Sequence, residues 1–397
     1  MKKLNIIIPT VLITIVIIAI GLLSVAKIQI RLYSNGWSCY ENGPCAEIGD
    51  WRRYQREQNI KAIAVEGNKI WVGTENGLVC MDKATGEMKH YRYPNSGLPD
   101  YHIKCIAIEN STKWIGTRYG LAKFDGVGWI IYTETEPKFP GAKTQTNRIK
   151  TLLPSDEINS IVVKNSTKWI ATVCGLAKFC DTVWTVYNAD NLGLASSRKR
   201  SSLDFFAIAL EDSIIWGGTK KGLARLDGAK WTIYDKDNSG LPDNHVTAIA
   251  IEDSVKWIGT LGYGLAKFDG INWTVYNTKN SQLPNDWIKS IAIEDSIKWI
   301  GTHSRLVKFD GINWTLYNEK NSKLPSNHIN VIVVDGSTKW IGTRAGLARF
   351  DGAKWTVYNT SSLGWFYRFI CYNKMKKSKK YEDKMNRLSE KYGRLKN

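Results

Sequence analysis

One short pattern recurs through most of the chain: Trp-x-[Gly/Ala]-Thr, at Trp71, Trp114, Trp169, Trp216, Trp257, Trp299 and Trp340. Successive copies are 43, 55, 47, 41, 42 and 41 residues apart. A period near 42 residues identifies a repeat architecture, because each unit is one small supersecondary element that buries its apolar faces only against its neighbours. This constrains the fold more than the length of 397 residues, which alone would suggest two or three ordinary domains.

The clearest unit runs from His245 to Asn277 and reads as four strands. Strand a is the apolar run Ala248-Ile249-Ala250-Ile251, led in by His245-Val246-Thr247. A tight polar turn, Glu252-Asp253-Ser254, leads to strand b, Lys256-Trp257-Ile258-Gly259-Thr260. Strand c is Gly264-Leu265-Ala266-Lys267-Phe268. The hairpin signal Asp269-Gly270 then leads to strand d, Trp273-Thr274-Val275-Tyr276. Short strands closed by Asp, Asn and Gly turns argue against a helical repeat.

Four strands per unit of this period make a propeller blade, so the expected fold is an all-β, seven-bladed propeller. Side chains alternate along a strand, so Trp273 and Val275 face one neighbouring blade and Thr274 and Tyr276 the other. Gly259 is expected to leave room for a large ring from the next blade. Blade one departs most, with Cys80-Met81-Asp82 for Lys-Phe-Asp and Met88 where strand d usually has Trp. Insertions at 133–157 and 188–204 lengthen two links, which elsewhere carry Leu-Pro, as at Leu241-Pro242. Trp51-Arg52-Arg53-Tyr54 is an extra copy of strand d. It competes with Trp355–Asn359 for the outer edge of blade seven, and the better match to the repeat favours Trp355–Asn359.

Outside the repeats the chain divides into residues 1–30, a linker at 31–50, the propeller at 51–360 and a tail at 361–397. Lys2 and Lys3 precede an uncharged, mostly apolar run from Leu4 to Val25. As a helix it spans roughly 33 Å, enough for a bilayer core. That length favours a retained membrane anchor over a cleaved signal peptide, for which Ser24-Val25-Ala26 offers a cleavage site. The expectation is a single-pass membrane protein with the propeller outside the cytoplasm, or else a secreted or periplasmic one. Residues 373–397 hold ten Lys or Arg and three Asp or Glu. In that compartment nucleic acid is not an expected partner of this tail, or of a chain with net charge +18.

Cys39 and Cys45 bracket a short Gly/Pro loop and could close a small disulfide ring. The other five cysteines, Cys80, Cys105, Cys174, Cys180 and Cys371, are expected to be small buried thiols. No Cys-x-x-Cys pair occurs, and no cofactor or metal site is expected. His102, His245 and His328 share one repeat position but sit on blades two, five and seven, so they should be spread around the channel, as turn residues. The recurring Asp of Phe-Asp-Gly likewise reads as turn chemistry.

These repeats resemble the two-component regulator propeller repeat, whose motif is an apolar strand followed by Trp-Ile-Gly-Thr, a Gly-Leu step and Phe-Asp. The resemblance covers seven units, roughly Trp51 to Asn359. It implies an extracytoplasmic sensory propeller and not a catalyst, of a kind often found in bacterial hybrid sensor kinases that respond to polysaccharide breakdown products. Those receptors continue into a sandwich domain, a membrane helix and a kinase. Here 38 residues follow the last blade, so a sensory role implies a separate signalling partner.

A ligand is expected where the frame varies. In a propeller the b–c turns and d–a links share one face. The turn residues there lean basic and aromatic: Arg118, Tyr119, Lys220, Lys221, Tyr263, His303, Arg305 and Arg344. Both insertions open on the same face and add Lys143, Arg148, Lys150, Arg198, Lys199 and Arg200. Such a face suits an acidic glycan or a protein partner, since Arg clasps carboxylates in two-point fashion and aromatic rings stack on ligands. The alternatives are a scaffold for protein–protein contact and, second, a propeller lyase; the acid or His cluster a lyase needs cannot be assembled from this sequence.

Overall fold

The computed structural model describes residues 58–134, 147–189, 203–358 and 360. They form seven antiparallel sheets, each made of consecutive strands in the order a-b-c-d. The blades run Ile60–Tyr91, Ile103–Thr133, Ile158–Tyr187, Phe205–Tyr234, Val246–Tyr276, Ile288–Tyr317 and Ile329–Tyr358. The expected propeller of four-stranded blades is therefore present. Blade two has one strand more: Asn147–Lys150, from the first insertion, pairs parallel with its strand d. Trp355–Tyr358 is the outer strand of blade seven. Trp51–Tyr54, Cys39, Cys45, the expected membrane segment and the tail lie outside the described residues. Among those described, no helix is long and apolar enough to cross a membrane.

Blades pack face to face through one repeated aromatic unit. The strand b Trp257 stacks on Tyr276 of its own strand d, with ring centroids 6.1 Å apart. Phe309 of the next blade meets Trp257 edge-on at 6.0 Å and stacks on its own Trp314 at 4.0 Å. Edge-on and offset contacts suit the ring quadrupoles and add to the area buried. Strand d alternates as expected: Trp273 and Val275 join the core shared with blade four, and Tyr276 the core shared with blade six. The ring closes without strand exchange among the described residues, by packing Ile60, Ile63 and Met81 of blade one against Trp340 and Leu347 of blade seven.

The strand b glycine admits a different group from the one expected. A Cβ on Gly259 would lie 2.5 Å from Ile288 Cγ2, so the close neighbour is the β-branched anchor of the next blade's strand a, not a ring. Large rings meet glycines in the links instead, Trp273 against Gly240 and Trp129 against Gly97.

A second device between blades was not read from the sequence. Glu252, at the end of strand a, accepts from Trp257 Nε1 of its own blade at 2.8 Å and from Lys298 Nζ of the next at 2.9 Å. Lys298 also donates to the Ser296 carbonyl, and its ammonium sits 4.9 Å from the centroid of Trp257. The same Glu–Trp–Lys clip joins blades one to two, two to three, four to five and six to seven through Lys113, Lys168, Lys256 and Lys339. Two interfaces lack it. Between blades three and four, Lys164 takes the place of Glu and Ile215 that of Lys. Between seven and one, Asp335 and Ile70 do so; Asp335 pairs with Lys83 instead, and Trp340 Nε1 is buried without a partner among the described residues.

The cysteines divide. Desolvation pushes the Cys105 thiol up to about 12, but against expectation Cys80, Cys105 and Cys180 are only half-buried and Cys174 is exposed on a b–c turn. The turn places it there because only its neighbours Thr172 and Gly175 are needed by the frame.

Candidate functional site

The Thr of Trp-x-Gly-Thr holds the b–c turn. Thr219 Oγ1 donates to the Gly222 carbonyl at 2.8 Å and accepts from Lys221 N at 2.9 Å. Thr117, Thr172, Thr302 and Thr343 do the same in their blades. The turn backbone is thereby fixed by a buried hydroxyl, so its outward side chains are not needed to hold the turn and differ from blade to blade. The first turn residue also bonds back to the residue leading into strand a: Leu261 N to His245 O at 3.0 Å, His303 N to Trp287 O and Arg344 N to His328 O, both at 3.1 Å. Turns and lead-ins thus form a double ring around the channel mouth.

The sequence-predicted residues occupy this ring, with unequal freedom. The Arg118 guanidinium lies 5.8 Å from the centroid of Tyr119. Lys220 is matched by Asp204 of its own lead-in at 2.5 Å, which spends its charge locally. Arg305 and Arg344 are exposed, and Lys221 is half-buried. Tyr263 is 59% exposed. His303 is drawn into a contact that sequence spacing did not suggest: its Nε2 lies 3.1 Å from Nε2 of His328 on the next blade. Of the insertion residues, Arg148 and Lys150 lie on the fifth strand of blade two; Lys143, Arg198, Lys199 and Arg200 lie outside the described residues.

The three lead-in histidines have separate partners. His102 packs on Tyr101 and His245 on Phe206, each with centroids 4.7 Å apart, and His328 on His303 at 4.0 Å. Burial lowers the pKa of His245. Burial, then His303, Arg344 and Lys289, lower that of His328, against a smaller opposing effect of Glu319. Both imidazoles are therefore held toward the neutral form. Among the described residues no group of three or more His, Cys, Asp or Glu is placed to hold a metal ion.

Sequence reasoning also missed a second layer, one residue into strand a, where a bulge interrupts every blade, as between Ile288 and Ser290. The bulged residues are Lys61, Lys104, Asn159, Phe206, Thr247, Lys289 and Asn330. Several reach sideways to the next blade: Lys104 to Glu157 and Asn159, both at 2.6 Å, Asn159 to the Phe205 carbonyl, Thr247 to that of Ile288 and Asn330 to that of Ile60. Lys289 is pushed below the ordinary lysine range by its protein surroundings and by Lys61, although blade seven separates the two blades. The signal was present in Thr247, Lys289 and Asn330, which share one register, but nothing in a sequence marks a bulge.

No protein-family model and no curated protein matches this chain. Solved structures do share its fold. The extracellular domain of BT4673, a candidate one-component system of B. thetaiotaomicron, is 20% identical with a TM-score of 0.55, over 74% of this chain and 38% of that one. YCF48 bound to a D1 peptide is 13% identical with a TM-score of 0.53, over 74% and 94%. The WD40 propeller domain of Doa1 is 10% identical with a TM-score of 0.53, over 74% and 92%. The chain thus spans well under half of the first of these, and at such identities the likeness is one of fold.

Proposed function

We propose that this chain is an extracytoplasmic recognition module of a signalling system, which takes its ligand at the channel mouth on the face of the b–c turns. The observation that carries this reading is the division of labour within each repeat. Trp257, Gly259, Thr260 and Phe268 and their counterparts are buried and consumed by packing, while the exposed turn positions differ from blade to blade. A frame that is constant and a rim that varies is how one fold presents a specific surface. The likeness in fold to the BT4673 extracellular domain supports the sensory setting. The apolar run Leu4–Val25 supports a membrane anchor, and the ligand would be an acidic glycan or a protein. The exposed residues of the turn face are mostly cations and aromatic rings, which favours binding over catalysis.

Charge reversal tests it. Arg118→Glu with Arg344→Glu leaves the frame untouched and should abolish binding of anionic glycans to the full chain. Unchanged binding would remove the turn face from consideration.

A scaffold role is favoured by a different observation. Val127, Ile271 and Ile312 are 95%, 86% and 85% exposed at c–d turn tips, on the opposite face. Each follows an Asp whose carboxylate accepts from the backbone and fixes the tip, as Asp269 does for Ile271 and Asn272. Rigid apolar tips suit a protein contact, and YCF48, of similar fold, has been solved with a peptide bound. Ile271→Asp with Ile312→Asp would abolish that contact and spare glycan binding.

A further inference from the structure

Charge is unevenly balanced around the channel mouth. On the side of blades one to four, three lysines meet a carboxylate: Lys61 with Glu75 at 3.2 Å, Lys104 with Glu157 at 2.6 Å and Lys220 with Asp204. On the side of blades six and seven, Lys289 and Arg344 have no carboxylate partner among the described residues. Both lie close enough to His328 to disfavour its charged form, as does His303. The same sector carries an exposed aromatic surface. Trp287 is 44% exposed and occupies, in blade six, the lead-in position of His245 and His328. Its ring is fixed edge-on to His303 at 5.1 Å, and its backbone bridges to Leu261 on blade five. Gly262 lies directly against this indole: a Cβ there would come 3.1 Å from Nε1. The turn is therefore narrow where the ring stands.

We propose that the sector built by Trp287, Lys289, His303, His328 and Arg344 binds a carboxylate carried on a six-membered ring, the cations taking the carboxylate and the indole stacking on one face of the ring. This deepens the recognition reading above and rests on it. Two cations without counter-ions among the described residues supply charge-assisted bonds that a carboxylate satisfies and a neutral group does not. A fixed, exposed indole beside them gives stacking area at little entropic cost. The histidine pair adds a proton linkage. The groups facing it are Trp287, Arg344, Lys289 and Glu319, and in the free protein burial, then His303 and the two cations, disfavour the charged form of His328. A bound carboxylate offsets those cations and favours protonation, so binding takes up a proton and strengthens as pH falls through the histidine range.

The test is titration of the full chain with galacturonate oligomers and, separately, with a substituted benzoate, each against its methyl ester, near pH 5.5 and pH 8. The arm that binds identifies the source of the ring. The acid should bind more tightly than its ester, and more tightly at the lower pH. Lys289→Gln and Arg344→Gln should each weaken it roughly tenfold or more, the worth of one charged hydrogen bond. His328→Gln should flatten the pH dependence while Trp287→Ala weakens both pH values alike. Equal binding of acid and ester, or binding unmoved by Lys289→Gln and Arg344→Gln, overturns the proposal. If binding in that case is still lost on Arg118→Glu, the turn face stands as the recognition surface and only this sector falls. If neither acid binds and no glycan on an array does, both readings fall.

Discussion

At the residue scale, the side chains that look most chemical are structural. Glu294 shows why. Burial alone would raise its pKa, but hydrogen bonds from Lys339 and Trp299 outweigh that and hold the carboxyl below its usual range. Its folded pKa is thus depressed from an unfolded value of about 4.3. The clip's contribution is present in full above that pH and lost as pH falls through the folded value. Glu294→Gln leaves a buried ammonium facing a neutral partner and should cost about 2 kcal/mol in chemical denaturation near neutral pH, less on acidification. Gly259→Ala forces a methyl group toward Ile288 and should cost about 1–3 kcal/mol, and less than that when introduced into an Ile288→Ala background. The clip was visible letter by letter in Glu252, Lys256 and Trp257. It escaped the sequence because its Glu and Lys lie on different blades, and only the ring brings blade n and blade n+1 together.

At the scale of the blade, strand order and hairpins were legible because each blade is contiguous in the chain and each turn carries its own Asp, Asn or Gly. The seams were not. Two interfaces, three–four and seven–one, exchange a charged pair for an apolar residue and an altered partner, and both partners change together. Asp335→Glu would extend the carboxylate toward the orphaned Trp340 Nε1. It should stabilise the ring by about 1 kcal/mol, the net worth of a hydrogen bond. No gain in a denaturant midpoint would show that Lys83 keeps the longer carboxylate. Amide exchange should be faster in strand a of blades four and one, which close the unclipped seams, than in strand a of the other blades. The fifth strand of blade two has no equivalent in the repeat to announce it. Ile149 is exposed on it, so Ile149→Pro should free local amides and change global stability by less than about 1 kcal/mol.

At the scale of the whole molecule, seven copies of one frame leave a double ring of residues around one end of the channel. The turn residues of that ring could be found by subtraction, by asking which positions the repeat leaves free. Their partners could not: Asp204 neutralises Lys220, and His328 engages His303, through contacts set by the angle between blades. The bulged layer holding Lys289 was hidden for the same reason, since its residues sit within an apolar run and read as strand. The central claim is that this end of the ring recognises a ligand. It is tested most directly by screening the full chain against an array of acidic and neutral glycans, with the Arg118→Glu/Arg344→Glu variant alongside. Binding to acidic members is expected, and the variant should lose it while its unfolding midpoint stays unchanged. Binding retained in full by the variant would contradict the claim.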